Sequence, residues 1–322
     1  MEKAKAIYTH LEGADPLWRE SLYEVIGDKH ILTEYDPSKP LAPQFAGVEA
    51  LLDHGGRVAT REMIEAGPDL RLWQMITVGY DAVDLGIVEG REISVCNCPG
   101  VTTSPGLAET AIMLMLMLVK RYRSAQAMVA TGDVSRMLND ELGGKLLAII
   151  GFGASGRQLA PLAKALGMRL MIIEPRPIEQ AVLDELQPEF VGKPDDLDRA
   201  MTEADIVSLH LPLLPETRGL IDTRRIGLMK PTAYFINVAR AGLVEEEALN
   251  AALLAGRIAG IGSDVFADTT PGSEIPAYCH ENLVAMPHVG GNSIETIRRR
   301  SEVCLENLDR IVQGLEPKHR VR

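Results

Sequence analysis

No Cys-x-x-Cys pair occurs in the chain. The four cysteines, Cys96, Cys98, Cys279 and Cys304, suggest neither a zinc site nor a disulfide framework, and no metal is expected. Also missing is an apolar run long enough to cross a bilayer. The most apolar stretch, Ala111 to Val119, is nine residues long, against roughly 20 for a spanning helix. It reads as a buried helix, and no membrane partner is expected. Positive charge is in deficit: 33 Lys and Arg stand against 45 Asp and Glu, a net charge of −12. That balance excludes the uncompensated basic surface a nucleic-acid partner requires, although a local arginine can still serve an anionic substrate. Residues Met1 to Ile7 lack the long apolar stretch of a secretory signal, so a cytoplasmic location is expected.

What is present is an ordinary globular composition, 46% hydrophobic and 24% charged over 322 residues, long enough to predict two domains. In the first hundred residues short apolar runs alternate with helical stretches, the pattern of βα units on a parallel sheet. Leu72 to Val78 and Ile93 to Cys96 read as strands, and the turn Asn97-Cys98-Pro99-Gly100 marks a domain boundary. A long helix is predicted from Ser104-Pro105 to about Met128, stopped by Gly132 and nearly apolar all round. From Lys145 onward six strands are predicted: Leu146 to Ile150, Leu170 to Ile173, Asp205 to Leu209, Ala233 to Asn237, Ile258 to Asp264 and Asn282 to Met286. With intervening helices they match a doubly wound dinucleotide-binding domain. Ser293 to Gly314 reads as an amphipathic helix returning to the first domain.

Between the first of these strands and its helix lies Gly151-Phe152-Gly153-Ala154-Ser155-Gly156. Gly151 permits the tight turn, Gly153 lets the backbone approach a pyrophosphate, and Gly156 lets the helix pack closely on the strand. The helix N-terminus offers N–H groups and a positive dipole end to the phosphates. Glu174, eighteen residues after Gly156, ends the next strand. An acid there accepts from the adenosine ribose hydroxyls and repels a 2′-phosphate, which favours NAD over NADP. Arg176 pulls the other way, because an arginine can accommodate that phosphate. Three further segments end strands of the same sheet: His210-Leu211-Pro212 with Thr217-Arg218, Asn237-Val238-Ala239-Arg240, and Pro287-His288-Val289-Gly290-Gly291.

These ordered segments, with Val78-Gly79-Tyr80-Asp81-Ala82-Val83-Asp84 and Asp264-Val265-Phe266, closely resemble the D-isomer-specific 2-hydroxyacid dehydrogenases over nearly the whole chain. The resemblance implies an α/β protein with a Rossmann-type doubly wound parallel sheet, residues 101–288, inserted into a smaller flavodoxin-like α/β substrate domain. The latter would comprise residues 1–100 and the C-terminal helix of 289–322. It implies a homodimer paired through the cofactor domain. It also implies NAD-dependent hydride transfer to or from a small 2-hydroxy or 2-keto acid.

Arg240 would bind the substrate carboxylate, which a planar guanidinium fork suits, and His288 would be the acid/base, since imidazole titrates near neutrality. Backbone amides at Val78 and Gly79 would cradle the carboxylate. Asp264 would face the nicotinamide carboxamide, Val238 and Ala239 would line its ring, and His210, Pro212, Thr217 and Gly290 would flank the cofactor. One position departs from the family pattern: Thr269 stands where a glutamate normally holds the catalytic histidine. Asp268 or Glu274 is a possible substitute. A threonine adds no charge, so His288 would be more acidic. This departure keeps a second reading open, an NAD(H)-sensing binding protein with weakened or lost catalysis.

Overall fold

Short runs rich in aliphatic residues set two ladders of parallel strands. The computed structural model describes residues 2–80, 83–267 and 280–321. The chain divides into two compact units, Met1–Thr103 with Asn292–Arg322, and Ser104–Gly291. The second unit is thus inserted into the first, with junctions a few residues from those expected at 100 and 288.

The first unit has a five-stranded sheet: β1 (Lys5–Tyr8), β2 (Ile31–Glu34), β3 (Ala50–Asp53), β4 (Leu72–Met75) and β5 (Ser94–Cys96). All neighbours are parallel, in the order β2-β1-β3-β4-β5, the flavodoxin-like order. Alternation along each strand divides the core into two layers. Ala6, Tyr8, Ala50, Leu52 and Leu72 face one layer. Ile7, Leu51, Trp73 and Val95 face the other. The first layer is closed by helices Leu17–Ile26 and Ile294–Val312. The latter opens on Ser293, whose hydroxyl accepts from the Thr296 amide as an N-cap. It contributes Ile297, Cys304, Leu308 and Ile311 to the core.

The second unit carries seven parallel strands: β6 (Leu146–Ile150), β7 (Arg169–Ile173), β8 (Phe190–Gly192), β9 (Ile206–Leu209), β10 (Tyr234–Asn237), β11 (Gly260–Ser263) and β12 (Leu283–Ala285). Their order, β12-β11-β10-β9-β6-β7-β8, reverses between β6 and β9, the switch point at which a doubly wound sheet binds its ligand. Six of these strands stand where the sequence predicts them. The seventh, β8, is three residues long at the sheet edge and too short to show a period.

The long apolar helix is two helices, a correction to the sequence reading. Ser104–Val119 ends where Arg121 turns to φ 48°, and Tyr122–Thr131 follows. The physical reason lies in the returning chain: the Asp140 amide donates to the Val119 carbonyl at 2.9 Å, and Lys120 Nζ reaches the Asp140 carbonyl at 2.7 Å. Gly132, at φ 72°, stops the second helix as predicted.

Candidate active site

The glycine loop leaves β6 at Ile150 and enters the helix Ala154–Ala165. Each glycine has a distinct steric reason. A Cβ on Gly151 would lie 2.6 Å from the His210 carbonyl oxygen, and one on Gly156 would lie 2.4 Å from the Gly151 carbonyl oxygen. At Gly153 a Cβ would meet only Arg176 Nη2, at 3.7 Å, so the loop's outer side is open where a phosphate must approach. No side chain caps the helix that follows, leaving its first amides and dipole end to an anion. The chemistry of this cradle fits a dinucleotide.

At the end of β7, Glu174 is buried, and its Oε2 accepts from the Phe152 amide at 2.7 Å. Arg176 covers the same carboxylate, with its Nε 2.7 Å from Oε1, although its own side chain is 71% exposed. Burial opposes ionisation of Glu174. The bonds from Arg176 and from the Phe152 and Arg176 amides together outweigh it and hold the pKa below the usual glutamate value. The acid is therefore charged and tied to the phosphate loop, while the arginine hangs on it from solvent.

His210 follows β9 and is buried, its Nε2 2.8 Å from Ser208 Oγ and its Nδ1 3.0 Å from Ser155 Oγ. Burial pushes its pKa down to about 3. It is a neutral strut between β9 and the glycine loop. Thr217 also spends its hydroxyl locally, donating to the Pro212 carbonyl at 2.8 Å and accepting from the Leu214 amide at 2.7 Å.

After β10, Asn237 closes a turn on itself: its Nδ2 donates to the Arg240 carbonyl at 3.0 Å and its Oδ1 accepts from the Ala239 amide at 3.0 Å. Val238 is buried, and the half-buried Arg240 stands at the end of that turn in extended conformation.

After β12, His288 is exposed and sits at φ 58°, the left-handed region that non-glycine residues rarely adopt. Asp264, at the end of β11 and wholly buried, holds it there. The Asp264 carbonyl accepts from the His288 amide at 2.8 Å, and its two carboxylate oxygens accept from the Val289 and Gly290 amides at 2.9 Å each. Burial pushes the Asp264 pKa up to about 6 despite those two amides. Thr110 adds a bond from its hydroxyl to the Gly290 carbonyl at 3.2 Å. A Cβ on Gly290 would meet Asp264 Oδ2 at 2.7 Å and Thr110 Cγ2 at 2.8 Å, so only glycine fits. Sequence reasoning did not find Ser208 or Thr110. Ser208 lies inside an apolar strand and Thr110 inside an apolar helix, where a lone hydroxyl gives no signal.

In the first unit, the Asn97 side chain holds the Val78 carbonyl at 2.7 Å and the Thr77 hydroxyl holds that of Gly79 at 2.8 Å. The amides of Val78 and Gly79 donate to no group among the described residues. Asp268, Thr269 and Glu274, the three residues considered as partners for His288, lie outside the described residues, as do Asp81, Ala82 and Cys279. No cluster of His, Cys, Asp or Glu able to hold a metal occurs among the described residues. No helix among them is long and apolar enough to cross a membrane.

Residues 112–290 match the family model described as "D-isomer specific 2-hydroxyacid dehydrogenase, NAD binding domain". The chain belongs to the D-isomer-specific 2-hydroxyacid dehydrogenases. It is 31% identical over 307 residues to a hydroxypyruvate reductase of Thermotoga maritima, covering 94% of this chain and 96% of that one. It is also 31% identical over 304 residues to the D-3-phosphoglycerate dehydrogenase of Methanocaldococcus jannaschii, covering 93% of this chain but only 57% of that longer protein. Among solved structures, the D-lactate dehydrogenase of Aquifex aeolicus, complexed with NAD and lactic acid, superimposes with a TM-score of 0.77 at 27% identity, covering 96% of each chain. The cofactor of this family member is NAD, and it is an NAD-dependent dehydrogenase.

Proposed function

We propose that this dehydrogenase interconverts a small 2-keto acid and the D-2-hydroxy acid, with Arg240 binding the substrate carboxylate and His288 exchanging a proton with the keto oxygen. The observation that carries the reading is the three-bond grip of Asp264 on the His288 loop. An exposed imidazole carried by a strained, firmly held backbone at a strand's carboxyl end suits general acid–base chemistry. The nicotinamide, when bound, supplies or receives the hydride. His288 gives its proton to the forming alkoxide in reduction and takes it back in oxidation. Arg240 presents two N–H groups to a carboxylate and polarises the adjacent carbonyl. Val78 and Gly79 are assigned to carboxylate binding, supported by amides that have no acceptor among the described residues.

On the cofactor side, Gly151, Gly153, Ala154, Ser155 and Gly156 are assigned to the pyrophosphate and Glu174 to the ribose. Val238 and Ala239 are assigned to the nicotinamide ring. Steady-state rates with NADH across a panel of 2-keto acids test the reading. Turnover of at least one acid, lost in His288→Ala, is expected; no turnover with NADH binding intact would favour the NAD(H)-sensing alternative. A homodimer paired through the second unit belongs to the same reading. Its support is an apolar face formed by Ile112, Met113, Leu116, Met117, Leu162 and Leu166.

A further inference from the structure

Arg300, on the C-terminal helix of the first unit, is a buried cation with no counter-ion among the described residues. It is 7% exposed, and its Nε is enclosed without a hydrogen-bond partner. Among the described residues no carboxylate pairs with it and no acceptor receives its N–H groups. Its guanidinium carbon lies 5.4 Å from the centre of the Trp18 ring. The neighbouring Cys304 thiol cannot stand in for an anion. A bond from Cys98, and then burial, raise the Cys304 thiol well above its ordinary pKa, so it stays protonated. Arginine does not shed its proton in a protein, and an unpaired buried charge is strongly unfavourable.

The helix runs from the carboxyl to the amino ends of the strands. Thr296 and Arg299 bond to the Thr102 carbonyl near its start, and Arg71, at the foot of β4, bonds to the Ile311 carbonyl near its end. Arg300 therefore lies toward the carboxyl ends, where open α/β sheets bind ligands. Against the same Trp18 ring lies His54, which follows β3 and stacks edge-on to it at 5.6 Å. His54 Nε2 lies 2.8 Å from Tyr8 Oη. When that hydroxyl donates, the imidazole proton sits on Nδ1, which has no partner among the described residues. The charges that act on His54 are His10, Arg300 and Arg57, all of one sign. The nearby acid, Asp53, is turned away onto Thr9 and the amides of Gly56 and Val58. The loop after His54 abuts the proposed carboxylate cradle: a Cβ on Gly55 would lie 2.7 Å from Thr77 Oγ1 and 3.3 Å from the Gly79 carbonyl oxygen.

We propose that Arg300 and His54 form a recognition site for an oxyanion, a carboxylate or a phosphate, and that in turnover this anion is a second acidic group on the substrate. The second clause rests on the 2-keto acid reading; the first does not. The preferred substrates are then dianionic: a 2-keto acid whose tail ends in carboxylate or phosphate.

Thermal unfolding of the full chain without cofactor tests the site itself, with sodium phosphate compared against HEPES at matched ionic strength. Phosphate should raise the wild-type Tm by a few degrees and leave Arg300→Met unmoved. In HEPES alone R300M should melt above the wild type, because an uncompensated charge has been removed. An R300M that melts lower, or a wild type indifferent to phosphate, would overturn the site. Kinetics with NADH test the substrate clause. 2-Oxoglutarate and 3-phosphohydroxypyruvate should exceed pyruvate in kcat/KM, and R300M should lower that ratio by about tenfold or more. Arg300→Lys and His54→Gln provide independent checks of the same ratio, which each should lower. A phosphate shift without a dianion preference assigns the site to free oxyanion and overturns the substrate clause. A phosphate shift with no keto acid turned over leaves the site standing and tells against the dehydrogenase reading instead.

Discussion

Asp264 and His288 are joined through the backbone of one and both ends of the other: the Asp264 carbonyl takes the His288 amide at 2.8 Å, while its carboxylate takes the next two amides at 2.9 Å. The acid acts on the histidine's position through its loop.

Removing that grip should cost turnover. Asp264→Asn replaces one acceptor by an NH2 group facing an amide, so kcat/KM should fall roughly 10- to 100-fold, the scale set by misplacing a reacting group. Gly290→Ala should do the same, because its Cβ would collide with Asp264 Oδ2 at 2.7 Å. Since burial lifts the Asp264 pKa to about 6, one amide loses its acceptor as pH falls through that value. The wild-type kcat should therefore drop below about pH 6. A pH–rate profile flat through that range would refute the grip as a functional device.

His288→Gln should reduce turnover on the order of 10²- to 10⁴-fold, the usual contribution of a general acid or base, while NADH fluorescence titration gives an unchanged affinity. A mild kinetic effect would remove His288 from the chemistry.

Acid should destabilise the protein through its buried neutral histidines. Burial pushes His210 down to about 3, and burial followed by the charges of His10, Arg300 and Arg57 pushes His54 down to about 4. Both folded values lie below the unfolded value of about 6.5, so between them the unfolded chain binds protons that the folded chain refuses. Their stabilising contribution is present above about pH 6.5 and is lost as pH falls toward 4. His210→Gln should flatten the Tm-versus-pH curve over this interval; an unchanged slope would rule the histidine out.

Cofactor choice should turn on Glu174. With Glu174→Ser, the ratio of kcat/KM for NADH over NADPH should fall at least about tenfold, since the acid that repels a 2′-phosphate is gone and Arg176 is released to meet it. No change in that ratio would remove Glu174 from cofactor selection.

The apolar face of the helix Ser104–Val119 predicts the assembly. Met113→Glu should convert a dimer to a monomer by light scattering at micromolar concentration. A wild type already monomeric there would refute the pairing.

Most of the cofactor domain was legible because its strands are bracketed by residues with one permitted role. A Cβ on Gly151 or Gly156 would lie within 2.6 Å of a backbone oxygen, a constraint that shows as glycine at fixed spacing. The break at Arg121 was not legible, since a single left-handed residue is dictated by Asp140, nineteen positions away. Arg240 and His288 could be named from local segments, but the Asp264 grip joins residues 25 and 26 positions apart. Arg300 was hidden for another reason: on an amphipathic helix rich in charge it looks like one more solvated arginine, and only burial against Trp18 distinguishes it.

The insertion of one unit into the other has a consequence for synthesis on the ribosome. Ser104–Gly291 is continuous and can close its seven-stranded sheet as it emerges. The earlier-made unit must wait: Ile297, Cys304, Leu308 and Ile311, which complete one of its two apolar layers, are translated after everything else it packs against. The N-terminal half-core therefore stands open for the time taken to make about two hundred residues, on the order of 10 to 40 seconds at usual elongation rates. During that interval this segment, made before the inserted unit and completed only after it, is the part of the nascent chain that chaperones must shield.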